Sequence, residues 1–283
     1  MSLNSDHFKN IVRALVPRTL RNGLRSPSRS AEWLWDSTVF ALGCTKSLQL
    51  LPNWSVVCHP HAYKVIYRAQ IADPEQAEEF RAFLTHCSEK MLLFDIGAHF
   101  GIFSLAAAHF GARAIAAEPS PTATEMIATQ SDLNKCTGRI QIVRAAVSDV
   151  DGEMGLLNSG MFSEGYFKVS KGRLKSDLTR THAMTIDHMV RLFGVPTHIK
   201  VDVEGHECAV LRGARNTLRE FAPVLFLELH NEMILSEGGD PDASLELLSE
   251  LGYQTFALSG EAIRRDNILK KPIIRIVANR DSR

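Results

Sequence analysis

The chain has 283 residues, equal numbers of basic and acidic side chains and 45% hydrophobic residues, so it can hold one large domain, or a core with an extension, without staples. A formal charge of zero does not advertise nucleic acid as a partner, and no apolar run approaches a membrane span. The five cysteines are scattered without CxxC spacing, which points to reduced thiols, a cytoplasmic setting and no zinc site.

The charge is unevenly spread. Residues 1–30 carry Lys9, Arg13, Arg18, Arg21, Arg25 and Arg29 against Asp6 alone, while residues 231–251 carry acids and no Lys or Arg. Over 7–25, Phe8, Ile11, Val12, Leu15, Val16 and Leu20 fall near helical spacing, interrupted by Pro17. A membrane-surface or partner-binding helix, or an Arg- and Ser-rich transit segment, would fit, but a helix packed on the core with solvated arginines is the simpler reading. No signal-peptide apolar region is expected. Residues 25–30 read as a loop and 31–43 as a buried apolar segment. Trp54–Cys58 and Ala62–Arg68 read as two strands around the turn His59-Pro60-His61. Residues 74–88 read as a helix capped by Asp73 and started by Pro74. Residues 1–88 are thus an N-terminal extension with a short hairpin, and 89–283 form the main domain.

That domain is organised around residues 91–104, MLLFDIGAHFGIFS. Met91–Phe94 is an apolar strand closed by Asp95; Gly97 and Gly101 make a turn, and a helix runs from Ile102 to Phe110. Strand, acid, glycine turn and helix is how a doubly wound α/β fold presents a nucleotide at the carboxyl edge of its sheet. Glycines let a ligand approach the backbone, and the helix start offers unpaired N–H groups. The dinucleotide fingerprint is absent, since His99 and Ile102 stand where it needs glycines. An acid beside the turn suits a ligand with an ammonium group, such as the methionine end of S-adenosylmethionine.

Strands and helices then alternate. Strands are expected at 113–117, 140–147, 199–203 and 223–229, and helices at 121–134, 185–193, 206–221 and 245–251. Two closing strands, 253–258 and 273–278, are near enough in sequence to pair antiparallel. Residues 151–181 are long for a connection, and their glycines suggest a hairpin over the ligand edge that orders on binding. Several strands end in an acid or histidine: Asp95, Glu118, Asp149, Asp202 with Glu204, and Glu228 with His230. In a parallel sheet those ends share one edge. Glu118 is placed to accept ribose hydroxyls, and Asp149 to reach an adenine amino group. Asp202, Glu204, Glu228 and His230 would face an acceptor, as a general base or as ligands of a divalent metal. Glu207 reads as a first-turn acid on a helix dipole, and His99 and His206 are reserve bases.

Residues of about 55–280 resemble the FkbM-type S-adenosylmethionine-dependent methyltransferases. The resemblance rests on FDIGAHFG (94–101), AAEPSP (116–121), AAVSDVDG (145–152), TID (185–187), IKVDVEGHE (199–207) and FLELH (226–230). His99 stands where an asparagine is more usual. The resemblance implies a class I methyltransferase fold, a Rossmann-like seven-stranded, mostly parallel sheet with its last strand antiparallel. It also implies methylation of oxygen on a sugar or polyketide-like small molecule. Cofactor contacts are then expected at Asp95, Gly97, His99, Gly101, Glu118 and Asp149, and catalysis at Asp202, Glu204, Glu228 and His230. The alternatives are a Rossmann-type nucleotide-binding oxidoreductase and a catalytically degenerate methyltransferase fold serving as a binding module.

Overall fold

A computed structural model describes residues 29–158, 167–170, 178–263, 268–269 and 271–280. The expected helix at 7–25 lies outside the described residues. The first described element, α1 (Arg29–Ala41), is followed by the hairpin β1 (Lys46–Leu51) and β2 (Trp54–Cys58). Helix α1 starts inside the expected loop, and it is not a buried segment: Trp35 is 39% exposed and Leu42, just beyond it, 59%.

Residues expected as the hairpin's second strand are a helix instead, α2 (Pro60–Tyr67). Pro60 sits in the first turn, where its missing N–H costs nothing, and His59 Nδ1 accepts from the His61 N–H as a cap. Ala62 and Ile66 are buried at helical spacing. The strand partner of β2 is the preceding segment β1, which sequence periodicity did not single out. A π-helical turn, Arg68–Ala72, links α2 to α3 (Pro74–Leu84), whose start Asp73 caps by accepting from the Glu75 and Gln76 N–H groups.

The central sheet has seven strands. Taken in chain order they are β3 (Leu92–Ile96), β4 (Arg113–Ala117), β5 (Ile140–Val143), β10 (His198–Val201), β11 (Val224–His230), β12 (Gln254–Ala257) and β13 (Ile273–Asn279). In space they run β12-β13-β11-β10-β3-β4-β5. Only β13 opposes its neighbours. This is the class I methyltransferase arrangement: the sheet order reverses at β3, and ligands bind outside the carboxyl ends there. Helices α4 (Ile102–His109), α5 (Pro121–Leu133), α6 (Ile186–Phe193), α7 (Glu207–Arg212), α8 (Arg215–Phe221), α9 (Asn231–Ser236) and α10 (Asp242–Glu250) pack around it. Phe94, Ile96, Ile199, Val201 and Leu227 belong to the core on one side of the sheet. Leu93, Ala114, Ala116 and Phe226 belong to the core on the other, and Leu48, Val56, Ile66, Phe80 and Phe83 join them there. Apolar residues of β1, β2, α2 and α3 therefore bury themselves on the main sheet as well as on one another, Trp54 stacking on Phe80.

Two expected elements divide. The strand expected at 140–147 breaks, and β6 (Ala146–Val147) leaves the main sheet to pair with β9 (Leu178–Met184). The second sheet runs β6-β9-β7-β8, with β7 (Gly152–Asn158) and β8 (Phe167–Ser170) pairing antiparallel as the expected hairpin. Residues 159–166 and 171–177 lie outside the described residues. The helix expected over 206–221 breaks at Gly213, where a Cβ would stand 2.0 Å from the Ser148 carbonyl oxygen. Asp187 then caps α8, accepting from the Thr217 N–H at 2.8 Å and the Asn216 N–H at 3.2 Å. The TID motif is therefore a double helix cap, because Thr185 Oγ1 accepts from the His188 N–H at the start of α6. Among the described residues no helix is long and apolar enough to cross a membrane.

Candidate functional site

A cavity of about 1000 Å³ opens at the carboxyl edge of β3, β4, β10 and β11. It is large enough for a nucleoside cofactor with a small acceptor. Gly97, His99, Glu118, Asp202, Glu204, Glu228 and His230 line it, as the strand-end argument requires. The end of α2, the π-helical turn and the start of α3 contribute further lining residues.

The glycine turn is shaped by its neighbour. Gly97 has φ +78°, and a Cβ there would lie 1.8 Å from the Asp202 carbonyl oxygen. Its glycine is needed first for the close approach of the β10 end. His99 is left-handed too (φ 49°), a conformation that Asn and His tolerate better than most residues. The usual asparagine and this histidine thus satisfy the same backbone demand. The His99 N–H donates to Glu118 Oε2 at 3.0 Å, and its ring stacks on Phe100 with centroids 4.0 Å apart. The Ser120 N–H donates to Glu118 Oε1 at 2.9 Å. Both carboxylate oxygens are held by backbone, yet each keeps a lone pair for a ligand. Burial lifts the Glu118 carboxyl to about 7, against the pull of those two bonds.

Three expected cofactor contacts do not line the cavity. Asp95 is 2% exposed, and its Oδ2 accepts from the Ser104 N–H at 3.1 Å and Oγ at 2.6 Å. It fixes α4 beneath the turn. Gly101 faces the core, where a Cβ would meet the Ile127 side chain at 3.2 Å. Asp149 pairs with Arg212 at 3.2 Å, because β6 has already carried the chain away from the main sheet.

On the β10–β11 side a charged cluster is built from several elements. His230 Nδ1 meets Glu207 Oε1 at 2.8 Å, and the Gly205 N–H donates to the same oxygen at 3.0 Å. Glu207 is fully buried, so the imidazole is held by a carboxylate that is itself fixed. His230 Nε2 lies 3.8 Å from Asp202 Oδ1 and 3.9 Å from Glu228 Oε1. Burial opposes charge on His230, but the bond to Glu207 and the carboxylates of Asp202, Glu207 and Glu228 outweigh it and raise its pKa to about 9. Glu204, left-handed at φ 51°, is lifted to about 8 by burial and by the charge of Asp202. Glu228 is lifted to about 7 by burial, then by Asp202, with Lys200 and Arg275 opposing.

Beneath the cluster lie two buried cations that sequence reasoning did not single out. Lys200 Nζ sits 3.1 Å from Glu79 and 3.7 Å from both Asp202 and Glu228. Arg275 Nη2 donates to Glu228 Oε1 at 2.7 Å, and Arg275 Nη1 to Glu75 at 3.2 Å. Burial works against charge on Lys200, yet the surrounding carboxylates hold its pKa above the ordinary lysine value. Glu79, the anchor that α3 contributes, carries no motif, and only the tertiary fold brings it under β10. Lys200 did lie within IKVDVEGHE, as a polar residue inside an apolar strand, and that was the available signal.

Asp202, Glu228 and His230 offer ligand atoms within 4.8 Å of one another, a donor set that fits a divalent cation. Lys200 and Arg275 already neutralise the same carboxylates, so a dication would share them with two buried cations.

Comparison with known protein families matches residues 95–255, more than half of the chain, to the methyltransferase FkbM domain. The chain belongs to the FkbM methyltransferase family. Its members are S-adenosylmethionine-dependent, which disfavours the oxidoreductase alternative. Over 192 residues this FkbM methyltransferase is 29% identical to the hexuronic acid methyltransferase AglP of Haloferax volcanii, a match that covers 67% of this chain and 74% of that one. Among solved structures it is similar to a methyltransferase FkbM from Methylobacillus flagellatus KT, at 18% identity and TM-score 0.48, covering 78% of this chain. It spans only 54% of that longer chain. A SAM-dependent O-methyltransferase from Thermotoga maritima matches at 12% identity and TM-score 0.44, covering 81% of this chain and 74% of that one.

Proposed function

We propose that this enzyme transfers the methyl group of S-adenosylmethionine to a hydroxyl oxygen of a sugar-like small molecule, with His230 Nε2 drawing off the proton. The observation that carries the reading is that Glu118 and His230, the latter held from behind by Glu207, face one cavity from opposite sides of the β3 turn. The turn of Gly97 and His99 accommodates the cofactor, and Glu118 accepts its ribose hydroxyls through the lone pairs left by the His99 and Ser120 N–H groups. Bound there, the cofactor supplies an electrophilic methyl on a positively charged sulfur.

Methyl transfer is an in-line displacement, so it needs alignment of the hydroxyl and removal of its proton. Glu207 orients His230 through Nδ1 and leaves Nε2 toward the cavity, the base-plus-orienting-acid arrangement of nucleophile activation. In the ligand-free protein His230 is protonated at neutral pH. A cation arriving in the same cavity works against that charge and helps free Nε2. Asp202 and Glu228 then stabilise the imidazolium that forms. Similarity to a hexuronic acid methyltransferase supports a sugar acceptor. The charges of Lys200 and Arg275 favour a base mechanism over a metal.

A screen of hydroxylated sugars with labelled methyl donor tests the reading. His230→Ala should lower turnover on the acceptor found by about 10²–10⁴-fold while cofactor affinity stays within a fewfold. Unchanged turnover in that variant would remove His230 from the mechanism, and labelling of no sugar would remove the substrate class.

A further inference from the structure

We propose that the acceptor carries a carboxylate and that Arg68 is the residue that selects it, a narrowing that rests on the sugar-methylation reading above. Arg68 opens the π-helical turn, whose Asp73 N–H donates to the Arg68 carbonyl at 2.9 Å. Such turns insert an extra residue into a helix and are frequent at functional sites. Here the turn helps bring Arg68, Ala69 and Ala72 onto the cavity wall beside Val65.

Arg68 is the sole lysine or arginine among the described residues that line the cavity. The cavity's acidic lining residues are Asp73, Glu118, Asp202, Glu204, Glu228 and Glu232. Every other nearby cation is committed. Lys64, one turn earlier, is bound to Glu32 at 2.8 Å and Asp36 at 2.7 Å. Lys200 and Arg275 hold Glu79 and Glu228. Asp73, the acid nearest to Arg68 in the sequence, has its oxygens on the Glu75 and Gln76 N–H groups and on Gln76 Nε2. Arg68 itself takes part in none of the described ion pairs. A neutral sugar leaves this guanidinium unused. A uronic-acid carboxylate meets it through two parallel N–H···O bonds, and no other lysine or arginine among the described lining residues is there to receive that charge. Arg68 and His230 line the same cavity, so a sugar held at Arg68 by its carboxylate can turn a ring hydroxyl toward the methyl donor.

The test uses two glycosides that differ at one carbon, methyl glucuronoside and methyl glucoside. Calorimetry measures their binding to protein saturated with S-adenosylhomocysteine, and labelled S-adenosylmethionine measures transfer. The glucuronoside should bind about ten- to a hundred-fold more tightly. Arg68→Gln should shrink that preference to about threefold or less without changing homocysteine-cofactor affinity, and Arg68→Lys should retain part of it, keeping the charge but losing the fork. Equal affinities in the wild type, or a preference that survives Arg68→Gln, overturn the assignment. Glucuronoside bound through Arg68 but never methylated overturns the methylation reading and leaves the Arg68 assignment standing. Methylation of glucoside with Arg68→Gln inert does the reverse, and neither binding nor transfer overturns both.

Discussion

Glu118→Gln isolates one charge with little change of shape. Glu118 is 5% exposed, and its two oxygens accept from His99 N and Ser120 N at 3.0 and 2.9 Å. A glutamine can accept only one of these bonds, so one backbone N–H then faces an amide donor. That should cost about 1–3 kcal/mol of stability in the free protein. In the complex the loss of a charged acceptor for the ribose diol should cost roughly 1.5–3 kcal/mol, about ten- to a hundred-fold in cofactor affinity. The pH dependence gives a second reading. Burial raises the Glu118 carboxyl to about 7, so the ligand-free protein holds its proton below that pH and must release it to bind a diol as a carboxylate. Wild-type affinity should therefore be flat above about pH 7 and fall by up to about tenfold per unit below it, while the variant lacks this component. The sign for folding is opposite. A carboxyl raised in the folded state adds stability below its ordinary pKa, and that stability is lost as pH rises through about 7. Calorimetry with S-adenosylhomocysteine from pH 5.5 to 8.5 measures both effects. A loss below about twofold, with the wild-type pH profile retained, would show that Glu118 only braces the Ser120 helix start.

Gly101→Val should lower stability by about 2–4 kcal/mol, because a left-handed valine must also displace Ile127, yet leave cofactor affinity within a fewfold. Thermal unfolding and calorimetry on one preparation check both, and lost binding by a stably folded variant would place Gly101 in the cofactor's path after all. Glu207→Gln removes the acid that orients His230 and supports its charge, so the His230 imidazole should titrate below about 9 and turnover should fall, both readable by NMR titration and a pH–rate profile. Chelation of divalent ions should leave wild-type turnover unchanged. A loss restored by magnesium or manganese would assign Asp202, Glu228 and His230 to a metal. Lys200→Met should cost about 3–5 kcal/mol, since it strands Glu79 against the core with one of its two cations removed. Denaturant unfolding checks that figure, and a change below about 1 kcal/mol would mean that water or Arg275 replaces the ammonium.

The alternation of apolar strands and capped helices from residue 91 onward was enough to place the central sheet. Buried parallel strands must be near-continuously apolar, and Pro121, Thr185 and the glycines mark where they turn. The edge position of Glu118, Asp202, Glu204, Glu228 and His230 followed from topology alone, because parallel strands end on one side. Side-chain direction did not follow. Asp95 and Gly101 lie beside the turn in sequence yet face α4 and Ile127, and Asp149 is carried off by a strand that changes sheets. Residues 62–68 read as a strand in sequence because their few apolar side chains fit a strand as well as a helix over so short a stretch, and the cap that His59 gives the helix Pro60–Tyr67 leaves no mark in periodicity. With that segment went the lining residues Val65 and Arg68 of the cavity. The pairing of Glu207 with His230, and of Glu79, Lys200 and Arg275 with one another, was decided only by tertiary structure. These residues come from α3, β10, α7, β11 and β13, and charges so far apart in the chain meet only because burying the sheet's two faces brings those elements together.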